Sequence, residues 1–169
     1  MQTLKKTIIL VAILLATHIT ANAQTELITG IGATYEVDTE LYGINGRFYY
    51  ALNKHFCFGP EVSFFPYQNI EDNKEKSIID LNINGHYIFE LTEKLGFYPL
   101  SGINYSIEKE RLEIDTSLNE EEKEFGINYG FGAHYNISKN LFVFSEFKGI
   151  IGKLSDEFIN LGLIMSLDR

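Results

Sequence analysis

Five charged residues, Arg47, Glu61, Asp80, Glu146 and Lys148, fall on the polar side of stretches in which apolar and polar residues alternate. Charges on one face of such stretches can pair with one another away from water. There, an unmatched ion carries a large desolvation cost. The spacing predicts Arg47 with Glu61, and Lys148 with Glu146 and Asp80, as a structural salt-bridge core. A gate whose pairs exchange to open a narrow ion path is the alternative use of the same groups.

His86, His134 and Asn128 share that polar face. A metal centre needs three or four convergent ligands at tight spacing, and no H-x-x-x-H or C-x-x-C pattern occurs. These three are therefore expected to make hydrogen bonds inside the fold, with no cofactor. Cys57 is the single cysteine, so no intrachain disulfide can form, and its strand position predicts a small buried residue. No G-x-S-x-G elbow is present and acid–base histidines are missing from the long loops, so no enzymatic activity is expected.

Glu108–Glu124 carries eight carboxylates against three cations. It lacks the D-x-[DN]-x-[DN]-G order of a calcium loop. Glu110, Glu113, Asp115, Glu120, Glu121 and Glu122 are expected to form an exposed contact surface for an extracellular ligand, on a solvated loop. The formal net charge of −9 argues against phosphate contacts with nucleic acid.

The elements that must position these groups are strands. From Phe125 to Ile137 apolar residues alternate with small or polar ones without a break, the period of a β-strand with one oily and one wet face. Eight such segments can be drawn, near Glu26–Glu36, Leu41–Leu52, His55–Pro66, Ser77–Phe89, Leu95–Ile107, Glu124–Ile137, Leu141–Lys153 and Glu157–Leu167. Short turns at Asn53-Lys54, Leu91–Lys94 and Ser138–Asn140 alternate with the longer charged connections Tyr67–Lys76 and Glu108–Lys123. Strands of about 9–11 residues with this asymmetry suit an antiparallel barrel wall in a membrane. Face parity predicts Arg47 opposite Glu61, Tyr50 opposite Phe58, Phe89 opposite Leu95, His86 opposite Tyr98, Tyr135 opposite Val143 and Gly130 opposite Lys148. The expectation is an all-β, eight-stranded, up-and-down transmembrane barrel. About eight strands leave an interior that side chains can fill, and here that filling is polar.

At the start, Lys5-Lys6, the apolar run Thr7–Ala16 and Ala21-Asn22-Ala23 read as a secretory signal over residues 1–23, leaving Gln24–Arg169 as the mature domain. With signal, alternating strands and polar interior in place, the chain resembles the small outer-membrane barrels. These are the OmpX-like proteins, the OmpA membrane domain and the porin-family barrels of Bacteroidota. The resemblance implies a Gram-negative outer membrane, insertion by the barrel assembly machinery, contact with outer-membrane lipid and a role in adhesion or envelope integrity. The end, Ile164-Met-Ser-Leu-Asp-Arg169, lacks the terminal aromatic of such barrels, and no Trp is available for an interfacial girdle. A soluble periplasmic barrel of lipocalin type, binding an apolar ligand, would turn the two faces the other way.

Overall fold

Side-chain alternation decides the architecture, because every strand must send one face inward and the other outward. The computed structural model describes residues 26–71, 73–112 and 120–167. It contains nine strand segments: β1 (Glu26–Glu36), β2 (Tyr42–Ala51), β3 (Phe56–Glu71), β4 (Lys74–Tyr87), β5 (Phe89–Glu90), β6 (Leu95–Leu112), β7 (Glu120–Ser138), β8 (Leu141–Ile151) and β9 (Glu157–Ser166). All pairings are antiparallel, β1 pairs with β9, and β4 pairs with β6. The segments thus close into an eight-stranded ring, in which the two-residue β5 continues the line of β4.

The outer wall is apolar. Ile31, Ile44, Phe48, Ile103, Phe131 and Leu161 all turn outward, and Phe125 is 76% exposed. The buried set is the reverse, with Arg47, Glu61, Asp80, Glu146, Lys148 and six asparagines inside. An oily exterior around a polar lumen suits lipid on the outside and overturns the lipocalin alternative, which needs the opposite sidedness. No helix among the described residues is long and apolar enough to cross a membrane.

The lumen is not polar throughout. Leu41, Phe65, Ile78, Ile150 and Phe158 form a buried apolar cluster towards the end where β1–β2 and β8–β9 are joined. Alternation alone misses this cluster, because Phe64-Phe65, Ile78-Ile79 and Ile150-Ile151 are apolar doublets in which either member could face in.

Two expected registers hold. Arg47 lies opposite Glu61 and Tyr50 opposite Phe58, and Tyr135 lies opposite Val143 with Gly130 opposite Lys148. The third is displaced by two residues: Phe89 pairs with Phe97 and His86 with Leu100. The cause is the turn. Leu91 N–H donates to the Leu95 carbonyl, and Thr92 Oγ1 accepts from the N–H groups of Lys94 and Leu95. The turn is thereby centred on Glu93, one residue later than a Phe89–Leu95 pairing would place it. Beside it, Pro99 stands in the stretch between the two pairings and has no N–H to give. Ile88, where the strand breaks, donates instead to the His55 carbonyl at 2.6 Å. Both long connections expected as loops are largely strand. β3 and β4 run on to a turn at Asn73, whose φ is 64°, and β6 and β7 continue to Leu112 and from Glu120.

Candidate functional site

Inward parity on β2, β3 and β8 brings four charges together at mid-lumen. Arg47 faces Glu146 through two bonds (Nη1–Oε2 3.0 Å, Nη2–Oε1 3.2 Å) and Glu61 at 3.3 Å. Lys148 Nζ donates to Glu61 Oε1 at 2.6 Å. Two cations and two anions therefore balance. Tyr49 donates to Glu61, Tyr98 and Asn160 donate to Glu146, and Arg47 Nε donates to Asn45 Oδ1. The guanidinium also lies 4.0 Å over the Phe144 ring. Each charge thus has neighbours that offset its desolvation. Of the expected pairs, Arg47–Glu61 is present, whereas Lys148 bonds Glu61 in place of Glu146 and Asp80. Tyr98 was expected inside, opposite His86, whereas Tyr49, Asn45 and Asn160 were not singled out from sequence. Asn45 and Tyr49 share parity with Arg47, as Asn160 does with its cross-strand neighbour Glu146, and parity would have found them.

Asp80 belongs to a different network. It accepts from Ser106 at 2.5 Å and Asn104 at 3.3 Å, while Asn128 donates to Asn82 and Asn84 at 2.8 and 2.7 Å. These groups tie β4, β6 and β7 together.

His86 and His134 lie nearer the short-turn end in a column of rings. His86 stacks on Tyr98 at 4.8 Å and tilts against Tyr49 at 4.6 Å, and Tyr98 stacks towards His134 at 6.2 Å. The column needs glycine beside it, since a Cβ at Gly132 would come within 2.6 Å of the Tyr98 ring and one at Gly96 within 2.5 Å of His134. A cavity of about 280 Å³ opens below, lined in part by Arg47, Cys57, His86 and His134.

The opposite end is acidic. Along the β6–β7 arm, Glu108 faces Glu122 and Glu110 faces Glu120. Lys74 pairs with Glu110 at 2.6 Å, Lys109 with Glu121 at 3.1 Å and Lys153 with Glu124 at 3.4 Å, and Lys123 also pairs with Glu121. Lys123 and Lys109 hold the Glu121 carboxyl below the usual carboxylate range. Arg111 lies 3.9 Å over the Tyr67 ring and bonds Glu75 at 2.5 Å. Glu113 and Asp115, expected on the same surface, lie outside the described residues. At the rim itself, one carboxylate oxygen from each of Glu36, Asp38 and Asp156 lies within 4.8 Å of the others. Burial, with the Glu108 carboxylate beside it, pushes the Asp156 carboxyl up. Glu36 and Asp156 are 120 positions apart and meet only because β1 closes on β9, so no local signal could have shown them together.

Comparison with known proteins agrees with this geometry. Residues 7–163 match the family model described as Outer membrane protein beta-barrel domain. No curated protein matches the sequence. The fold is similar to Ail, the attachment invasion locus protein of Yersinia pestis (13% identity, TM-score 0.62, covering 87% of this chain and 100% of that one). It is similar to the N-terminal β-barrel domain of Pseudomonas aeruginosa OprF (17% identity, TM-score 0.62, 87% and 100%). Neisserial surface protein A is also alike (9% identity, TM-score 0.61, 88% and 100%). At these identities the likeness is one of fold.

Proposed function

This chain belongs to the outer membrane protein β-barrel family, and on that footing we propose that it is a non-enzymatic contact protein of a Gram-negative outer membrane. Its binding surface is the acidic arm of β6 and β7, and its partner is cationic. Residues 1–23 direct export and are then cleaved, the barrel assembly machinery inserts Gln24–Arg169, and the apolar wall meets outer-membrane lipid.

One observation carries the choice of surface. Glu110 stands opposite Glu120, and Glu108 opposite Glu122, in an ordered ladder. Like charges facing each other across strands destabilise a sheet. Lys74 at Glu110, Lys76 at Glu108 and Lys153 at Glu122 offset part of that repulsion. A cationic surface laid on the arm would offset the rest. Ail has been crystallised with the heparin analogue sucrose octasulfate, a polyanion. The acidic arm here points to the opposite charge preference.

The test uses the folded barrel in phosphatidylcholine nanodiscs, titrated with oligolysine at low and high salt. Binding that weakens as salt screens the charges, and weakens severalfold in Glu110→Gln/Glu120→Gln/Glu122→Gln, is the expected result. Equal binding by that variant would overturn the assignment.

A further inference from the structure

We propose that Asp156 and Glu108 share one proton at the outer mouth of the lumen, and that this proton latches the β8–β9 connection to β6 until alkali removes it. The geometry of the pair carries the inference. Asp156 lies on the connection and Glu108 on β6, and each is 7% exposed. Their carboxyl groups are within hydrogen-bond reach of each other. Asp156 Oδ2 and Glu108 Oε1 are buried, and no N–H or hydroxyl donates to either oxygen. A carboxylate can only accept, so two in such contact are bonded only when one of them is protonated. Lys76 Nζ reaches Glu108 Oε2 at 2.8 Å, which makes Glu108 the anion and Asp156 the acid that donates to it.

The surroundings favour a proton over a second anion. The charged groups that face Asp156 are Glu108 from β6, Lys76 and Asp80 from β4, Glu36 from β1 and Asp38 from the β1–β2 connection. Four carboxyl groups thus confront one ammonium. Glu36 offers Asp156 no donor, since its own oxygens accept from the N–H groups of Asp38 and Thr39. Burial, with Glu108 beside it, pushes the Asp156 carboxyl up to about 8. The proton is therefore held through neutral pH and leaves in mild alkali.

What the proton holds follows from the topology. In the sheet β7 stands between β6 and β8, so the pair joins elements that share no ladder. Backbone bonds fix the base of the connection, Ile150 N–H to the Asp156 carbonyl at 3.0 Å and Val37 N–H to the Glu157 carbonyl at 2.9 Å. The Asp156 side chain adds the tie to β6. Ile150 and Phe158, on either side of the connection, belong to the apolar cluster that fills this section of the lumen, and so does Ile78, two residues from Lys76. The latched connection is a polar lid on that plug. Loss of the proton leaves two buried anions in contact, and their repulsion frees the lid. A carboxyl raised above its unfolded value of about 3.9 contributes stability in full below that value. That contribution is lost as the pH climbs through about 8.

The test takes the refolded barrel in detergent micelles, with ¹³C-labelled aspartate and isoleucine, from about pH 5 to about pH 9.5. Asp156 Cγ should titrate with a midpoint of about 8, and the Ile150 methyl signals should move with it. In Asp156→Asn, whose amide donates to Glu108 without titrating, the Ile150 signals should stay fixed. Glu108→Gln should return the Asp156 midpoint towards about 3.9. Trypsin, calibrated on a free peptide at each pH, should cut after Lys153 severalfold faster at about pH 9 than at about pH 7, and at equal rates in Asp156→Asn. An unboiled gel would show that the variants remain folded. An ordinary aspartate midpoint, cleavage at Lys153 that ignores pH, or a pH dependence that survives in Asp156→Asn would each overturn the latch. No readout involves oligolysine, so the latch and the acidic contact surface fail separately.

Discussion

Lys148 donates to Glu61 at 2.6 Å with both side chains wholly screened from solvent, and Glu61 simultaneously faces Arg47 at 3.3 Å. One carboxylate therefore serves two cations, and its removal would strand a charge. Breaking a buried pair from one side costs about 3–5 kcal/mol, whereas replacing both partners by apolar groups is often near neutral. Lys148→Met alone is expected to lower stability by an amount in that range. Lys148→Met with Glu61→Gln is expected to cost less than the single change, since Arg47 keeps Glu146. Urea unfolding in lipid vesicles would measure both, and a double variant weaker than the single one would contradict the shared-carboxylate account.

Gly132 and Gly46 should respond oppositely to the same substitution. A Cβ at Gly132 meets the Tyr98 ring, whose hydroxyl bonds Glu146, whereas a Cβ at Gly46 meets nothing within 4 Å. Gly132→Val is overpacking and should cost about 1–3 kcal/mol. Gly46→Val on the outer wall should be tolerated. Comparing the two unfolding midpoints checks the assignment of faces.

A charge on the outer wall should be penalised by depth. Ile103 is 59% exposed and lies between Ile83 and Ile127 in the middle of the wall. Ile103→Arg is expected to cost about 2–4 kcal/mol in a bilayer, and Leu91→Arg, at a short turn, about 0–1 kcal/mol. Equal costs would speak against lipid around this face.

The barrel should not conduct at rest. The four-charge ring occupies mid-lumen, and Leu41, Phe65, Ile78, Ile150 and Phe158 fill the section towards the acidic end. Planar bilayers containing the protein are expected to show no steady current. Phe65→Ala/Phe158→Ala removes one of these two blocks and should still leave the bilayer silent. Steady conductance by the unaltered protein would show that the ring and the cluster part.

Glu121 should hold its charge to lower pH than a free glutamate. Lys123 and Lys109 hold the Glu121 carboxyl below its ordinary range. A depressed carboxyl contributes above its unfolded value and loses that contribution as the pH falls through its folded value. An NMR titration of the Glu121 side-chain carboxyl should therefore show a midpoint below that of a free glutamate.

Face assignment was legible because alternation is a property of single strands. Arg47, Glu61, Asp80, Glu146 and Lys148 all point inward as their parity requires. Partner choice was less legible. Lys148 and Glu61 are 87 positions apart, and their meeting depends on how the wall curves. The hairpin before Leu95 slipped by two because Thr92 caps a three-residue turn, a detail that face parity cannot see. The acidic arm was expected as loop because charge lowers β propensity. Cross-strand charge pairs, Lys74 with Glu110 and Lys109 with Glu121, help to hold it as strand against the repulsion of its facing glutamates.

The lengths of β6 and β7 have a consequence for how the protein is approached. β7 has 19 residues, about 60 Å of chain at about 3.3 Å per residue, or roughly 45–50 Å of height at the usual barrel tilt. The apolar belt accounts for about 25 Å of that. Because the opposite turns are short, nearly all the surplus stands on one side as a mast rising above the headgroups. A large, rigid visitor, such as an antibody or another cell's surface protein, could grip its top without ever touching the lipid.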